Sequence, residues 1–290
     1  VRLRSTLYSR DTAFFPRYGL LALFVCLMAW TGAWLHIEPL GRYMFFPLWL
    51  GYIFFMDALV FSRHGTSLLR RMRWRYPFLF LVSSLFWWFF EGMNNAVQNW
   101  HYVLDQAYNP LVYVLLASIS FSTVLPAVLE TTEFFCTFLC WQPRLLAHDA
   151  GPRLPVPMLV GLELIGLACF ILPLAFPGYC FALIWLSLIF MLDPINNFMG
   201  RKSTLAHIAV GDWRFFVLPL GGLTCGFFWE MWNYFSLPKW YYTVPYIGFW
   251  KIFEMPLLGY VGYLPFSLEL FALYQCVLWM IARKRDFLVI

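Results

Sequence analysis

Charged side chains are scarce in this chain: Asp, Glu, Lys and Arg make up 12% of its 290 residues, against about 25% in ordinary globular domains. Histidine is scarcer still. His36, His64, His101, His148 and His207 are scattered, which excludes the clustered histidines that a membrane desaturase or hydroxylase needs for its metal. The seven cysteines are odd in number and contain no CxxC pair, which argues against a disulfide framework or a zinc site. Cys136 and Cys140 share a helix face and read as small core hydrophobes. There is no aspartate-rich pair of the kind that holds magnesium diphosphate. The stretch Gly200-Arg201-Lys202-Ser203 lacks the first glycine of a phosphate loop. No metal or cofactor is expected from these patterns.

What fills the chain instead is apolar: 62% of the residues are hydrophobic and 22% aromatic. Runs of roughly 20 apolar residues, enough to cross a hydrocarbon core, fall at 18–37, 43–61, 77–97, 111–139, 158–176, 179–195, 215–235 and 256–282. The expected fold class is therefore all-α, a polytopic membrane protein of about eight helices. The first run is too long for a signal-peptide core and is expected to persist as a helix.

Basic residues set the expected orientation. Of the 20 Lys and Arg, all but Arg42, Lys239 and Lys251 fall in the N-terminal tail, in alternate connections or at the C-terminus. The positive-inside bias then places both termini in the cytoplasm, with the plasma (inner) membrane as the expected location. The net charge of +5 orients helices and meets anionic lipid, so it implies no nucleic-acid partner.

The chain also repeats itself. At an offset of 139, Glu91 falls on Glu230, Asn94 on Asn233, Leu125-Pro126 on Leu264-Pro265 and Leu129-Glu130 on Leu268-Glu269. With one residue inserted, Trp100 and Tyr102 fall on Trp240 and Tyr242; Trp49 and Asp57 precede Trp185 and Asp193 at an offset of 136. Residues 1–17 read as an interfacial segment, 18–147 as a first four-helix unit, 148–157 as a Gly/Pro-marked linker and 158–290 as a second unit with a basic tail. An even number of spans per unit implies parallel repeats about an axis along the membrane normal.

Each unit carries Glu-x-x-Asn near the end of its third helix, Trp-x-Tyr in the next loop and Leu-Pro-x-x-Leu-Glu in its fourth helix. Residues three apart share a helix face, and a proline at membrane depth frees a carbonyl that must be buried or line a cavity. Glu91, Glu130, Glu230 and Glu269 are thus expected to converge on the interior as acid/base groups, with Asn94 and Asn233 orienting them. Unpaired carboxylates at mid-membrane cost roughly 2.5 to 3.5 kcal/mol each, so these four are expected either to carry protons or to be held by Asn, Tyr and Trp donors. A polar clamp pinning the third and fourth helices together is the simpler alternative. Asp57 and Asp193 read as interfacial ion-pair partners of Arg63 and Arg201. Most of the aromatic residues are lipid-facing bulk; Trp88, Trp100, Trp229, Trp232 and Trp240, beside the glutamates, are the candidates for ligand contact, together with Tyr102 and Tyr242.

An acidic residue after Trp or Phe at a helix end, a loop Trp-x-Tyr and a proline-led segment with Glu, present twice in one chain, resembles the duplicated membrane-integrated lycopene cyclases of the heterodimeric type. The motifs cover about a third of the chain. The resemblance implies cofactor-free, proton-initiated ring closure of a long polyene. Here the family's Pro-x-Glu-Glu reads Pro126-Ala-Val-Leu-Glu130 and Pro265-Phe-Ser-Leu-Glu269. A dry carboxylic acid near aromatic faces suits such chemistry. A proton-coupled carrier, or a pigment- or quinone-holding subunit of a membrane complex, suits the same pattern. The expected partner is a membrane lipid or isoprenoid, with a second copy or another membrane subunit left open. The aromatic loop 236–256 is expected to lie on the membrane surface and cap the cavity.

Overall fold

A computed structural model of the protein describes residues 14–138, 151–282 and 286–288. Arg2, Arg4, Arg10, Cys140, Arg144, His148, Arg283, Lys284 and Arg285 lie outside the described residues, as does the side chain of Arg214. The described residues are mostly helical: α1 (Arg17–Trp34), α2 (Phe45–His64), α3 (Leu68–Met72), α4 (Pro77–Val97), α5 (Pro110–Phe121), α6 (Val124–Cys136), α7 (Val156–Ala175), α8 (Pro177–Cys180), α9 (Ile184–Met199), α10 (Thr204–Ala209), α11 (Val217–Tyr234) and α12 (Tyr263–Ala282).

Six helical stretches among the described residues are long and apolar enough to cross a membrane: Arg17–Trp34, Phe45–His64, Pro110–Cys136, Val156–Ala175, Pro177–Met199 and Leu257–Ala282. This is a multi-pass membrane protein. Helices α4 and α11 occupy the other two expected spans but are less apolar. They are the helices that carry Glu91 with Asn94 and Asn95, and Glu230 with Asn233, so the polar motif itself lowers their hydropathy.

Local sequence explains several helix ends. Pro77 and Pro110 open α4 and α5 in the first turn, where a missing N–H is harmless. The Asn109 side chain caps α5 by accepting from Leu111 N at 3.0 Å. Gly65 and Gly200, with φ of 69° and 78°, end α2 and α9 in the left-handed region. The long fourth span of the first half is divided, α5 stopping and α6 starting at Val124; α12 starts at the repeat-equivalent Tyr263. Pro126 and Pro265 therefore stand in first helical turns, and neither frees a mid-helix carbonyl as the sequence suggests.

Strands are the feature an all-α reading omits. Strand β1 (Trp100–Val103) pairs antiparallel with β2 (Lys239–Tyr242), and β3 (Lys251–Ile252) with β4 (Met255–Pro256). In the β1–β2 ladder Trp100 faces Tyr242 and Tyr102 faces Trp240. Two short loop segments from opposite halves of the chain thus join at one end of the helices, called here the strand side.

The core is built from the same helix pairs in each half. Helix α1 packs along α2 and α7 along α9, while α6 contacts α2 and α4, and α12 contacts α9 and α11. The halves lock by exchange: Trp34 Nε1 donates to the Trp232 carbonyl at 3.2 Å, and Phe89 of α4 stacks on Phe170 of α7 at 5.9 Å. Small residues permit the closest approaches. A Cβ on Gly221 would lie 2.3 Å from Thr132 Oγ1, which lets α11 press on α6.

At the opposite, basic side, Asp57 and Asp193 serve as anchors for short helices. Asp57 accepts Tyr18 OH at 2.5 Å and Leu69 N at 3.1 Å, holding the start of α3. Asp193 accepts Ser203 Oγ together with Thr204 N at 2.8 Å and Leu205 N at 3.0 Å, holding the start of α10. Arg63 and Arg201, their expected ion partners, reach Thr137 and Gln275. A carboxylate at the first turn of a helix is favoured by the orphan N–H groups there, and the sequence offers no way to tell that role from an ion pair.

Candidate functional site

Two carboxylate clusters form beside the β1–β2 ladder. In the first, Glu91 Oε1 accepts from Trp87 Nε1 at 2.9 Å, Trp100 Nε1 at 3.1 Å and Tyr102 OH at 2.5 Å. In the second, Glu230 Oε1 accepts from Tyr242 OH at 2.7 Å and Tyr263 OH at 2.8 Å, and Trp240 Nε1 donates to the Tyr242 oxygen at 2.9 Å. Glu91 keeps part of its surface open, whereas Glu230 is fully buried and its Oε2 has no hydrogen-bond partner among the described residues.

The asparagines do not orient the glutamates. Asn94 Oδ1 accepts from Asn99 N and Trp100 N at 2.8 and 3.2 Å, and its Nδ2 donates to the Trp100 carbonyl at 2.7 Å. Asn233 makes the same two-way clamp on Trp240, accepting from N at 2.8 Å and donating to O at 2.7 Å. Each asparagine fixes the first residues of a strand to the end of a helix, and the strand then carries Trp and Tyr to the glutamate one turn back. Burial, and then the adjacent carboxylate, push the Tyr102 and Tyr242 phenols well above their ordinary range, so both remain O–H donors at neutral pH.

Between the clusters lies a cavity of about 720 Å³, walled by both halves of the chain. Trp87, Trp100, Tyr102, Trp185, Trp229, Trp240, Tyr242, Tyr263 and Phe266 line it. The wall rings pack on one another, Trp100 against Trp185 at 5.9 Å and Trp87 edge-on to Phe266 at 5.9 Å, and Phe90 behind the wall stacks on Trp185 at 4.9 Å. Val244, Ile247 and Met255 of the 236–256 loop complete the wall. That loop also holds Glu254, paired with Lys239 at 2.5 Å. Its Tyr246, Phe249 and Trp250 are exposed.

Glu91 and Glu230 themselves do not reach the cavity wall; their donors do. Trp88 and Trp232 also fall outside it. Trp88 Nε1 donates to Ser118 Oγ at 2.9 Å, and Trp232 packs among Trp30, Trp49 and Tyr52. The other two predicted glutamates are elsewhere and apart from each other. Glu130 Oε1 accepts Tyr76 OH at 2.7 Å beside the buried Arg71–Glu133 ion pair on the basic side, while Glu269 Oε1 accepts Leu188 N at 3.0 Å. The four carboxylates therefore do not converge.

Sequence reasoning misses Trp87, Trp185, Tyr263 and Phe266 in the wall, and Arg71, Tyr76 and Glu133 in the basic-side cluster. Trp87 lies four residues before Glu91, as good a helical neighbour as Trp88, so spacing alone could have found it. Glu133 lies three residues after Glu130 and was open to the same argument. Among the described residues no group of three or more His, Cys, Asp and Glu side chains is placed to hold a metal ion. No protein-family model, curated protein or solved structure matches this chain.

Proposed function

We propose that this protein holds a long, uncharged, isoprenoid-type lipid in the aromatic cavity between two parallel four-helix units. The reading includes cytoplasmic termini and an outward-facing strand side. Its repeat organisation is supported by the reciprocal register of the ladder: equivalent residues Trp100 and Trp240 each face the other unit's tyrosine, as a two-fold axis through the ladder requires.

One observation carries the binding role: a cavity of about 720 Å³ with walls of Trp, Tyr, Phe and aliphatic side chains. That is within the roughly 300–1,000 Å³ typical of sites for organic ligands. The cations on its wall are already neutralised, Arg42 by Glu38 and Asp105, and Lys239 by Glu254. Such a wall favours an uncharged ligand over a phosphate-bearing one. Because Glu91 and Glu230 stand one layer behind the wall, acid-initiated ring closure or isomerisation of that ligand would have to draw its proton through the Tyr102, Tyr242 or Tyr263 hydroxyls. The geometry favours holding over direct protonation by a glutamate.

Ala117 lines the cavity, so Ala117→Trp fills it without replacing any member of either carboxylate cluster. Titration of the detergent-solubilised protein with a conjugated polyene hydrocarbon, read as quenching of tryptophan fluorescence, is expected to saturate for the wild type. The variant is expected to lose at least about tenfold in affinity, about 1.4 kcal/mol. Equal saturable quenching in both would contradict a ligand held in this cavity.

A further inference from the structure

The two clusters are not copies of each other. At the repeat offset Trp87 corresponds to Gly226 and Val124 to Tyr263. A Cβ built on Gly226 would lie 2.3, 2.5 and 2.6 Å from ring atoms of Tyr263. The glycine is therefore what admits the tyrosine ring. In the first half an indole from the third helix completes the set of donors to the glutamate; in the second half a phenol from the fourth helix does so.

That exchange changes what the cavity wall can accept. An indole N–H is a donor only, whereas a phenol oxygen donates one proton and retains lone pairs. Around Glu91 the Trp87 and Trp100 N–H groups and the Tyr102 hydroxyl all donate to Oε1, and Tyr102 is the one phenol of the set. Around Glu230 the phenol protons of Tyr242 and Tyr263 both go to the carboxylate, and Trp240 Nε1 fills the Tyr242 oxygen. The exchange therefore adds a second phenol oxygen, that of Tyr263, whose proton is committed to Glu230 and which keeps one lone pair beyond its contact with the Tyr242 hydroxyl; Tyr263 lines the cavity. Its ring is held by stacking on Trp229 at 6.0 Å.

We propose that Tyr263 is the specificity-determining residue of the cavity and that it accepts a hydrogen bond from a hydroxyl on the bound lipid, so that the ligand class is a long isoprenoid-type alcohol. The inference rests on the lipid-holding reading above and adds the polar group and the half of the chain that recognises it.

The test compares a long isoprenoid alcohol with the hydrocarbon of the same skeleton and length, each competing against the polyene probe, on wild type, Tyr263→Phe and, as a control outside the cavity wall, Trp88→Phe. Phenylalanine keeps the ring that fills the space beside Gly226, so the loss is confined to the hydroxyl's bond to Glu230, and thermal unfolding checks that the variant is folded. A hydrogen bond to a buried neutral group corresponds to roughly five- to tenfold in affinity. Wild type and Trp88→Phe are expected to prefer the alcohol by about that factor, and Tyr263→Phe to bind both ligands equally. Equal binding of the two ligands by wild type, or a preference that survives in Tyr263→Phe, overturns the assignment while leaving the cavity reading standing. If neither ligand displaces the probe, or wild type binds no probe, the cavity reading itself fails and this inference with it.

Discussion

Replacing Gly226 by tryptophan is expected to cost roughly 2–6 kcal/mol of stability, and adding Tyr263→Val in the same chain is expected to recover most of the loss. The single substitution drives atoms into the space held by the Tyr263 ring, where even a Cβ would lie 2.3 Å from ring carbon. Overpacking of that kind costs about 1–3 kcal/mol. Displacing Tyr263 also removes a donor from the fully buried Glu230, a further cost of about 1–3 kcal/mol. The double variant rebuilds the Trp87 and Val124 pair of the first half around Glu230, with an indole N–H restored to the carboxylate. Thermal unfolding in one detergent should give a coupling energy of about 2 kcal/mol or more in the four-variant cycle. A double variant no more stable than Gly226→Trp alone would contradict the structural equivalence of the two clusters.

The second large effect is expected on the basic side. Arg71 forms a buried ion pair with Glu133, and its Nε donates to the Phe287 carbonyl at 2.5 Å. Arg71→Met leaves Glu133 buried without its cation, near Glu130, and breaking one partner of such a pair costs about 3–5 kcal/mol. Arg71→Met combined with Glu133→Leu removes both charges and should recover most of that cost, because a buried pair is itself expensive to desolvate. The same unfolding assay reads the outcome. A double variant as unstable as Arg71→Met would show that Arg71 acts through Phe287 and its other contacts rather than through Glu133.

Much of the architecture is legible in the sequence because membrane helices announce themselves through long apolar runs, and each of the eight runs contains helix. The pairing of Glu91 with Trp100 and Tyr102, and of Glu230 with Tyr242, is legible through the repeat: two loosely spaced motifs are far more informative together than either alone. Other features are hidden for identifiable reasons. Strands β1 and β2 hold four residues each and exist only because the two halves meet, so no local pattern predicts them. Tyr263 is invisible to the repeat comparison because its counterpart is Val124; the job it performs is done in the first half by Trp87. The expected convergence of four glutamates fails because the register along a helix matters as much as its face. Glu130 and Glu269 lie six residues into α6 and α12, too far along to share a site with Glu91 and Glu230. Asn94 and Asn233 bond the strand backbone for a simpler reason: a side chain three residues from a glutamate is a neighbour, but an orphan strand backbone is the stronger partner.

A proposed occupant of the cavity between the halves, an uncharged isoprenoid-type lipid, should travel with the gently purified protein into its organic extract. Mass spectrometry and an absorption spectrum of that extract are predicted to show an isoprenoid-type molecule in stoichiometric amount from the wild type, strongly reduced in Ala117→Trp. An extract from the wild type containing only bulk phospholipid, indistinguishable from that of the variant, would contradict the claim.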